Sequence, residues 1–497
     1  MLFNSYAFIF FFFPTVLIAF FLIGRRNARA AAGFLVLASL FFYGWWSVQA
    51  LPLLIGSICF NYWAGLRLTP GPGRTDAARK RMLVLSLVVN LGVLATFKYA
   101  NFFIANVNEG LEAAGLEPLH FLRVVLPIGI SFYTFTQIAF LVDCYQGKVR
   151  ERSFIHYALF VTYFPHLIAG PVLHHAQMMP QFANPATYRM DADKISLGLA
   201  IFVFGLAKKL LLGDRMGEYA DLMFHGVHDG TMPTLYTAWL GVLAYTLQIY
   251  FDFSGYSDMA VGLSMCLGVR LPLNFNSPYK STSIIEFWRR WHMSLSTFLR
   301  DYLYVPLGGN RKGPSRRYVN LFITMLLGGL WHGAAWTFVL WGGLHGAFLA
   351  VNHLWNSKVR RDATPSRIGR LLGWVLTFLC VMIAWVVFRA EDMHVAMGVY
   401  KGMLGMHGAP LAAFTEFGSV PYQKSQFFQT LLVGMFICLA LPPTITLQRW
   451  VPQAQAFIAY PRAARACTAA MAVITVVMLG LSVSRLGTYS PFLYFQF

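Results

Sequence analysis

From Phe8 to Ile23, Ala31 to Leu66 and Met82 to Asn106, and through most of the remaining sequence, the chain runs in long apolar segments separated by short basic loops. That alternation limits the folds open to it more than any other feature. A helix that crosses a bilayer needs about 20 predominantly apolar residues, and within hydrocarbon each backbone amide must find an internal partner. The expected fold class is therefore all-α, a polytopic integral membrane protein of about 10–12 helices. Composition agrees, with 57% hydrophobic and only 12% charged residues. The excess of 39 Lys and Arg over 20 Asp and Glu gives a net charge of +19. In a soluble chain that would suggest nucleic acid, but here the basic residues sit between apolar runs, as positive-inside topology requires.

The loops set the orientation. Arg25, Arg26 and Arg29 follow a retained first helix, and Arg67, Arg74, Arg79, Lys80 and Arg81 follow the next apolar block, expected to turn around Gln49 to Pro52. Both loops read as cytoplasmic, which places the N-terminus on the outer side. Further spans are expected from Phe121 to Val142, from Leu371 to Phe388, from Phe427 to Thr446 and from Cys467 to Val483, and Lys208 and Lys209 end another. Other basic loops contain Lys358, Arg360 and Arg361, or Arg449, Arg462 and Arg465, and a polar external loop runs from Glu391 to Gln426. The six cysteines are scattered with no CxxC pair, so neither a metal site nor a disulfide framework is expected. Residues 1–497 read as a single multi-pass domain.

Three stretches depart from simple spans. FPHLIAGPV, from Phe164 to Val172, puts two prolines and a glycine into apolar sequence and reads as re-entrant. Asp252 and Asp258 lie in IYFDFSGYSDMAVG, about 240° apart around a helix. They are open to two readings, a structural role accepting hydrogen bonds or a place lining a cavity or relay. From Ser281 to Arg317 the chain is strongly basic, with Trp288, Trp291, Leu295, Phe298, Leu299 and Tyr302 at helical spacing opposite Arg289, Arg290 and Arg300. This describes an amphipathic helix at the membrane surface, with His292 on its apolar side.

At the centre of the most apolar stretch, GGLWHGAAWTFVLWGGLHG, stands His332. An intramembrane histidine is costly and marks a functional candidate, although a packing role between Trp331 and Trp336 is the alternative. Small neighbours, Gly333 and Ala334 among them, would let a narrow substrate approach the ring. Length leaves two short passes or a hairpin broken near Gly342 and Gly343. On a straight helix His345 would not face His332, so His292 is the better second histidine. The chain has no GxSxG elbow, HExxH signature or Walker loop.

The strings PIGISFYTF, FPHLIAGP, FDFSGYSDMAVG, EFWRRWHMSLSTFLRDYLYVPLGGNR and LWHGAAWTFVLWGGLHG, in this order, together resemble the membrane-bound O-acyltransferase (MBOAT) family. They are closest to its bacterial alginate O-acetyltransferase branch, which the ending PFLYFQF also resembles. The resemblance implies a catalytic core over residues 127–346 around a central tunnel. It also implies catalytic histidines at His332 and His292, acetyl-CoA as donor substrate, and no bound cofactor or metal. In that branch, acetyl groups cross the inner membrane to a periplasmic SGNH-type partner that places them on an exopolysaccharide. Peptidoglycan and cellulose are the alternative acceptors.

The residues allow the same chemistry. A neutral imidazole, with an ordinary pKa of about 6.5, can take a proton from an attacking hydroxyl near neutrality, and an acyl-imidazole is open as well. Arg289, Arg290 and Arg300 are candidates for a donor's phosphates. Trp331, Gly333, Ala334, Trp336, Asp252 and Asp258 are candidates for the tunnel lining. A secondary transporter with a His and Asp relay is the reading from another class, and it would call for inverted repeats, of which none is visible.

Overall fold

The computed structural model describes residues 1–121, 123–168, 170–358, 366–409, 424–446, 461–487 and 492–493. Arg360, Arg361, Arg449 and the ending PFLYFQF, apart from Phe492 and Leu493, lie outside the described residues. Helices account for the regular structure, with no strand among the described residues. Five of them are long and apolar enough to cross a membrane: Ala7–Gly24, Val48–Leu68, Asp76–Ala113, Ala192–His228 and Arg367–Arg389. The chain is an all-α, multi-pass membrane protein. Its contacts gather into two units, Met1–Phe202 with Ser257–Pro272, and Val203–Tyr256 with Leu273–Phe497.

The first unit contains α1 (Ala7–Gly24), α2 (Ala28–Gly44), α3 (Leu51–Leu68), α4 (Asp76–Ala113), α5 (Ile130–Tyr145) and α6 (Phe154–Thr162). Pro52 sits in the first turn of α3, where its missing N–H costs nothing. Rings of Phe3, Phe8, Phe12, Phe42 and Phe164 pack together. In hydrocarbon, however, apolar packing alone does not choose partners, and buried amides do. Asn61 and Asn90 donate to each other at 3.0 and 2.7 Å, joining α3 to α4. Gln137 on α5 donates to Ser57 at 2.9 Å and accepts from Tyr157 on α6 at 3.0 Å. Two histidines without a role in the sequence reading are engaged here. The His166 ring lies 2.9 Å from the Phe160 carbonyl, and His175 lies 3.1 Å from Asp143.

Apolar character overestimates α5. It starts at Ile130 rather than Phe121, because Pro127 and the left-handed Gly129 (φ 74°) interrupt the run. The FPHLIAGPV stretch breaks as expected, forming a single turn from Phe164 to Leu167.

The second unit holds the end of α7 (Ala192–Ala207), then α8 (Asp214–His228), most of α9 (Leu235–Cys266), α10 (Ile284–Arg290), α11 (Met293–Leu299), α12 (Gly313–His332), α13 (Trp336–Lys358), α14 (Arg367–Arg389) and α15 (Met393–Met403). The expected span end at Lys208 and Lys209 does not occur. The chain stays helical through a wider turn, Lys208–Gly213, and continues into α8, which leaves Lys209 buried. Two glycines allow α9 to approach that turn. A Cβ at Gly213 would lie 3.1 Å from the Asp252 amide, and one at Gly255 2.7 Å from the Gly205 carbonyl. The expected external loop from Glu391 contains α15, and residues 410–423 of it lie outside the described residues.

The stretch around His332 forms two helices, α12 and α13. They separate at Gly333, which is extended, and not at Gly342 and Gly343, which lie inside α13. Those glycines bring the helices together. A Cβ at Gly329 would meet the Phe338 carbonyl at 2.2 Å and Gly342 Cα at 3.1 Å, and one at Gly342 would meet the Met325 carbonyl at 2.3 Å. Small residues facing each other let two backbones touch in a membrane.

Candidate active site

His332 is the last residue of α12, and the turn that follows fixes where its ring points. The side chain is 5% exposed. Its ring sits edge-on to Trp331 and Trp341, both with centroids at 5.0 Å, and to Phe388 on α14 at 5.2 Å. It lines a small cavity of about 10 Å³, room for one water molecule. Trp341, Trp385 and Phe388 form the aromatic wall. Facing it are Ile249, Asp252 and Phe253 of α9, together with Trp291, Phe492 and Leu493.

Asp252 is the other titratable group in that lining, and it is 2% exposed. One carboxylate oxygen lies 2.5 Å from Lys209 Nζ, which also reaches Asp214 at 2.6 Å. The other accepts the Leu493 amide at 2.9 Å. The carboxylate that α9 carries into the cavity is thus held in place from behind by a buried cation.

His292 is not on a continuous surface helix. The helix expected from the Trp and Leu spacing breaks between α10 and α11, where Trp291 is extended and His292 adopts a left-handed conformation, φ 42° and ψ 55°. A non-glycine residue there costs about 1–2 kcal/mol, so its neighbours must impose it. They do so through the segment at 274–276. The Met293 amide donates to the Asn274 carbonyl at 2.9 Å, and the Asn276 amide to the Arg290 carbonyl at 3.0 Å. Asn274 Oδ1 also accepts from the Ser294 amide at 3.3 Å and the Ser294 hydroxyl at 2.7 Å. An amide N–H can only donate, which identifies that atom as the oxygen.

His292 Nδ1 lies 3.1 Å from the same oxygen, so Nδ1 carries the proton and donates. Its Nε2 is then a bare lone pair, buried and without a hydrogen-bond partner, on a ring that is 1% exposed. The sequence reading placed His292 inward, and it is. His292 and His332 flank the same indole, Trp331, at 6.3 and 5.0 Å between centroids. His345 on α13 is buried as well and accepts from Trp288 Nε1 at 3.2 Å.

The remaining candidates lie elsewhere. Gly333 packs against Phe338, whose ring a Cβ there would meet at 2.0 Å, and Trp336 is 58% exposed. Trp331, Gly333, Ala334, Trp336 and Asp258 are all absent from the cavity lining, and Asp258 belongs to the first unit. Of the basic trio, Arg290 pairs with Glu286 at 2.7 Å and Arg300 with Asp301 at 2.7 Å, while Arg289 is exposed. Burial alone would raise the Glu286 carboxyl, but hydrogen bonds from Thr282 and the Arg290 guanidinium together hold it below the ordinary glutamate range. Asp301 raises Arg300 above its usual value. No group of His, Cys, Asp and Glu among the described residues could hold a metal ion.

Sequence reasoning missed Asn274, Lys209, Trp341 and Phe388. Lys209 alone left a signal, as a lysine within the apolar run IFVFGLAKKLLLG. The arrangement offers a desolvated imidazole beside a small chamber, a second imidazole with its tautomer fixed, and an anchored carboxylate. Such a set suits proton transfer during acyl transfer.

Residues 76–389 match the sequence profile of MBOAT, the membrane-bound O-acyltransferase family. Over the whole of both chains the protein is 42% identical to the probable alginate O-acetylase of Azotobacter vinelandii, and equally to that of Pseudomonas aeruginosa. It is 42% identical to the peptidoglycan O-acetyltransferase of Helicobacter pylori over 84% of this chain and 82% of that one.

Proposed function

Because the chain belongs to the membrane-bound O-acyltransferase family and is an O-acyltransferase, we propose that it moves acetyl groups from acetyl-CoA across the bacterial inner membrane for O-acetylation of alginate. His332 is the general base. One of its ring nitrogens takes the proton of the acceptor hydroxyl as that oxygen bonds to the acetyl carbonyl carbon. The carbon–sulfur bond then breaks, and the imidazolium returns the proton to the departing thiolate. The observation that carries this reading is the place of His332 in the lining of a small, aromatic-walled cavity. An acyl group that fills this space displaces the water it has room for, which protects a thioester there from hydrolysis.

His292 serves as the second catalytic histidine. Its Nε2 lone pair is free to accept a proton or orient the acceptor. Arg289, Arg290 and Arg300 meet the donor's phosphates on the cytosolic face, and the N-terminus is periplasmic. An SGNH-type transferase in the periplasm completes the transfer onto the polymer. Alginate is preferred because three relatives named for it align over the full length of this chain at 42% identity, while the peptidoglycan relative aligns at that identity over 84% of it.

The test is acetyl release from alginate and from peptidoglycan in cells carrying His332→Ala at normal abundance. The proposal expects alginate acetylation to vanish. Retained acetylation would refute the base, and loss confined to peptidoglycan would reassign the polymer.

A further inference from the structure

The wall that closes the His332 cavity comes from a part of the sequence far from every motif around it. Phe492 and Leu493 are buried in the second unit, and both line the cavity. Phe492 stacks on Tyr256 with centroids 4.5 Å apart and 28° between planes, and its ring lies 5.6 Å from Phe253. The Leu493 amide donates to Asp252, whose other oxygen is held by Lys209. The wall is thus locked at its backbone and at one ring, and the lock is a desolvated ion pair.

The space it leaves is about 10 Å³. That is room for one water molecule, so an acyl group entering beside His332 must displace whatever occupies it and press on its lining. A close-packed interior yields little to such pressure. Trp341 and Trp385 stack with 16° between planes, and Phe388 packs edge-on against both. On that side each added methylene meets interlocked rings. On the facing side the Leu493 side chain and the Phe492 ring line the space beside Ile249, Asp252, Phe253 and Trp291.

We propose that Phe492 and Leu493 limit acyl length, and that Asp252 and Lys209 act as positioning residues that hold this wall in register with His332. The inference rests on acetyl transfer at His332 and adds the source of its selectivity. Shortening the wall then extends the chamber by one or two carbons without touching the base. Losing the Leu493 amide lets the wall shift and has the same sign.

The experiment compares acetyl-CoA with butyryl-CoA in membranes holding the full chain, and reads the ratio of butyryl to acetyl transfer. Leu493→Gly and Phe492→Ala are each expected to raise that ratio by about tenfold or more, and Leu493→Pro, which removes the amide donor, to raise it too. Leu35→Ala, a core change in the first unit, serves as the control for general loosening and should leave the ratio unchanged. An unchanged ratio in both Leu493→Gly and Phe492→Ala overturns the proposal, as does an equal rise in the control.

Binding of acetyl and butyryl thioether analogues of CoA to the purified full-length protein decides the case for any variant too weak to turn over. Tighter butyryl binding relative to wild type supports the wall, and parallel affinities refute it. If wild-type protein transfers nothing from acetyl-CoA, the catalytic reading fails by itself, and the binding comparison still answers for the wall.

Discussion

Replacing Lys209 by Met removes the cation that Asp252 was folded against. With Nζ 2.5 Å from Asp252 and 2.6 Å from Asp214, each attraction is worth about 6–7 kcal/mol at an effective dielectric near 20. Desolvation of the charges offsets much of that gain. What survives in the variant is the asymmetry. Asp214 is 20% exposed and can rehydrate, whereas Asp252, at 2%, keeps the Leu493 amide as its donor among the described residues. Stranding one member of a buried pair costs about 3–5 kcal/mol, and that is the loss expected for Lys209→Met. Adding Asp252→Asn removes the stranded charge and keeps an acceptor for the Leu493 amide, so the double variant should recover at least half of the loss. Unfolding of full-length protein in mixed micelles, followed by titration with an anionic detergent, gives the four corners of the cycle. The reasoning fails if Lys209→Met lies within about 1 kcal/mol of wild type, or if the double variant is no more stable than the single one.

Other outcomes follow from geometry in the same unit. Asn274→Ala leaves His292 Nδ1 and the Ser294 donors without an acceptor, at about 1–3 kcal/mol for each buried group; acetyl transfer should fall at least tenfold, with partial rescue by Asn274→Asp, and an unaffected rate would detach His292 from the reaction. Gly333→Leu forces a side chain into the Phe338 ring, so its expected defect is overpacking of about 1–3 kcal/mol, relieved by Phe338→Ala; loss of transfer at full thermal stability would instead return Gly333 to the acyl path. Cysteines placed at Arg290 and Arg311 in a cysteine-free, active background should resist an impermeant thiol reagent in spheroplasts and react in inverted vesicles, and the reverse pattern would turn the basic segment to the periplasm.

The helices and the burial of His292 and His332 were legible because each follows from local chemistry: apolar length, proline and glycine breaks, and the price of a titratable ring in hydrocarbon. The break at His292 was not. Trp288, Trp291, Leu295 and Phe298 keep helical spacing across it, and the left-handed turn is imposed by Asn274, which no periodicity connects to them. The Gly333 break was hidden by neighbouring glycines, of which Gly329 and Gly342 serve helix contact and only Gly333 ends a helix. Lys209 and Asp252, like Asn61 and Asn90, could each be flagged as an unusual polar residue, but pairing them requires knowing which helices touch. The presence of Phe492 and Leu493 in the cavity follows from tertiary packing alone.

The backbone at position 292 sets two demands against each other. A φ of 42° suits glycine or asparagine better than any residue with an imidazole. A mutant library sorted only for heat resistance should therefore drift at this position towards Gly or Asn, because relief of strain is all that such a sieve detects. A library sorted for turnover should keep His and accumulate compensating changes around Asn274 and Ser294. Where the two selections disagree, the sequence records which of them acted on its ancestors.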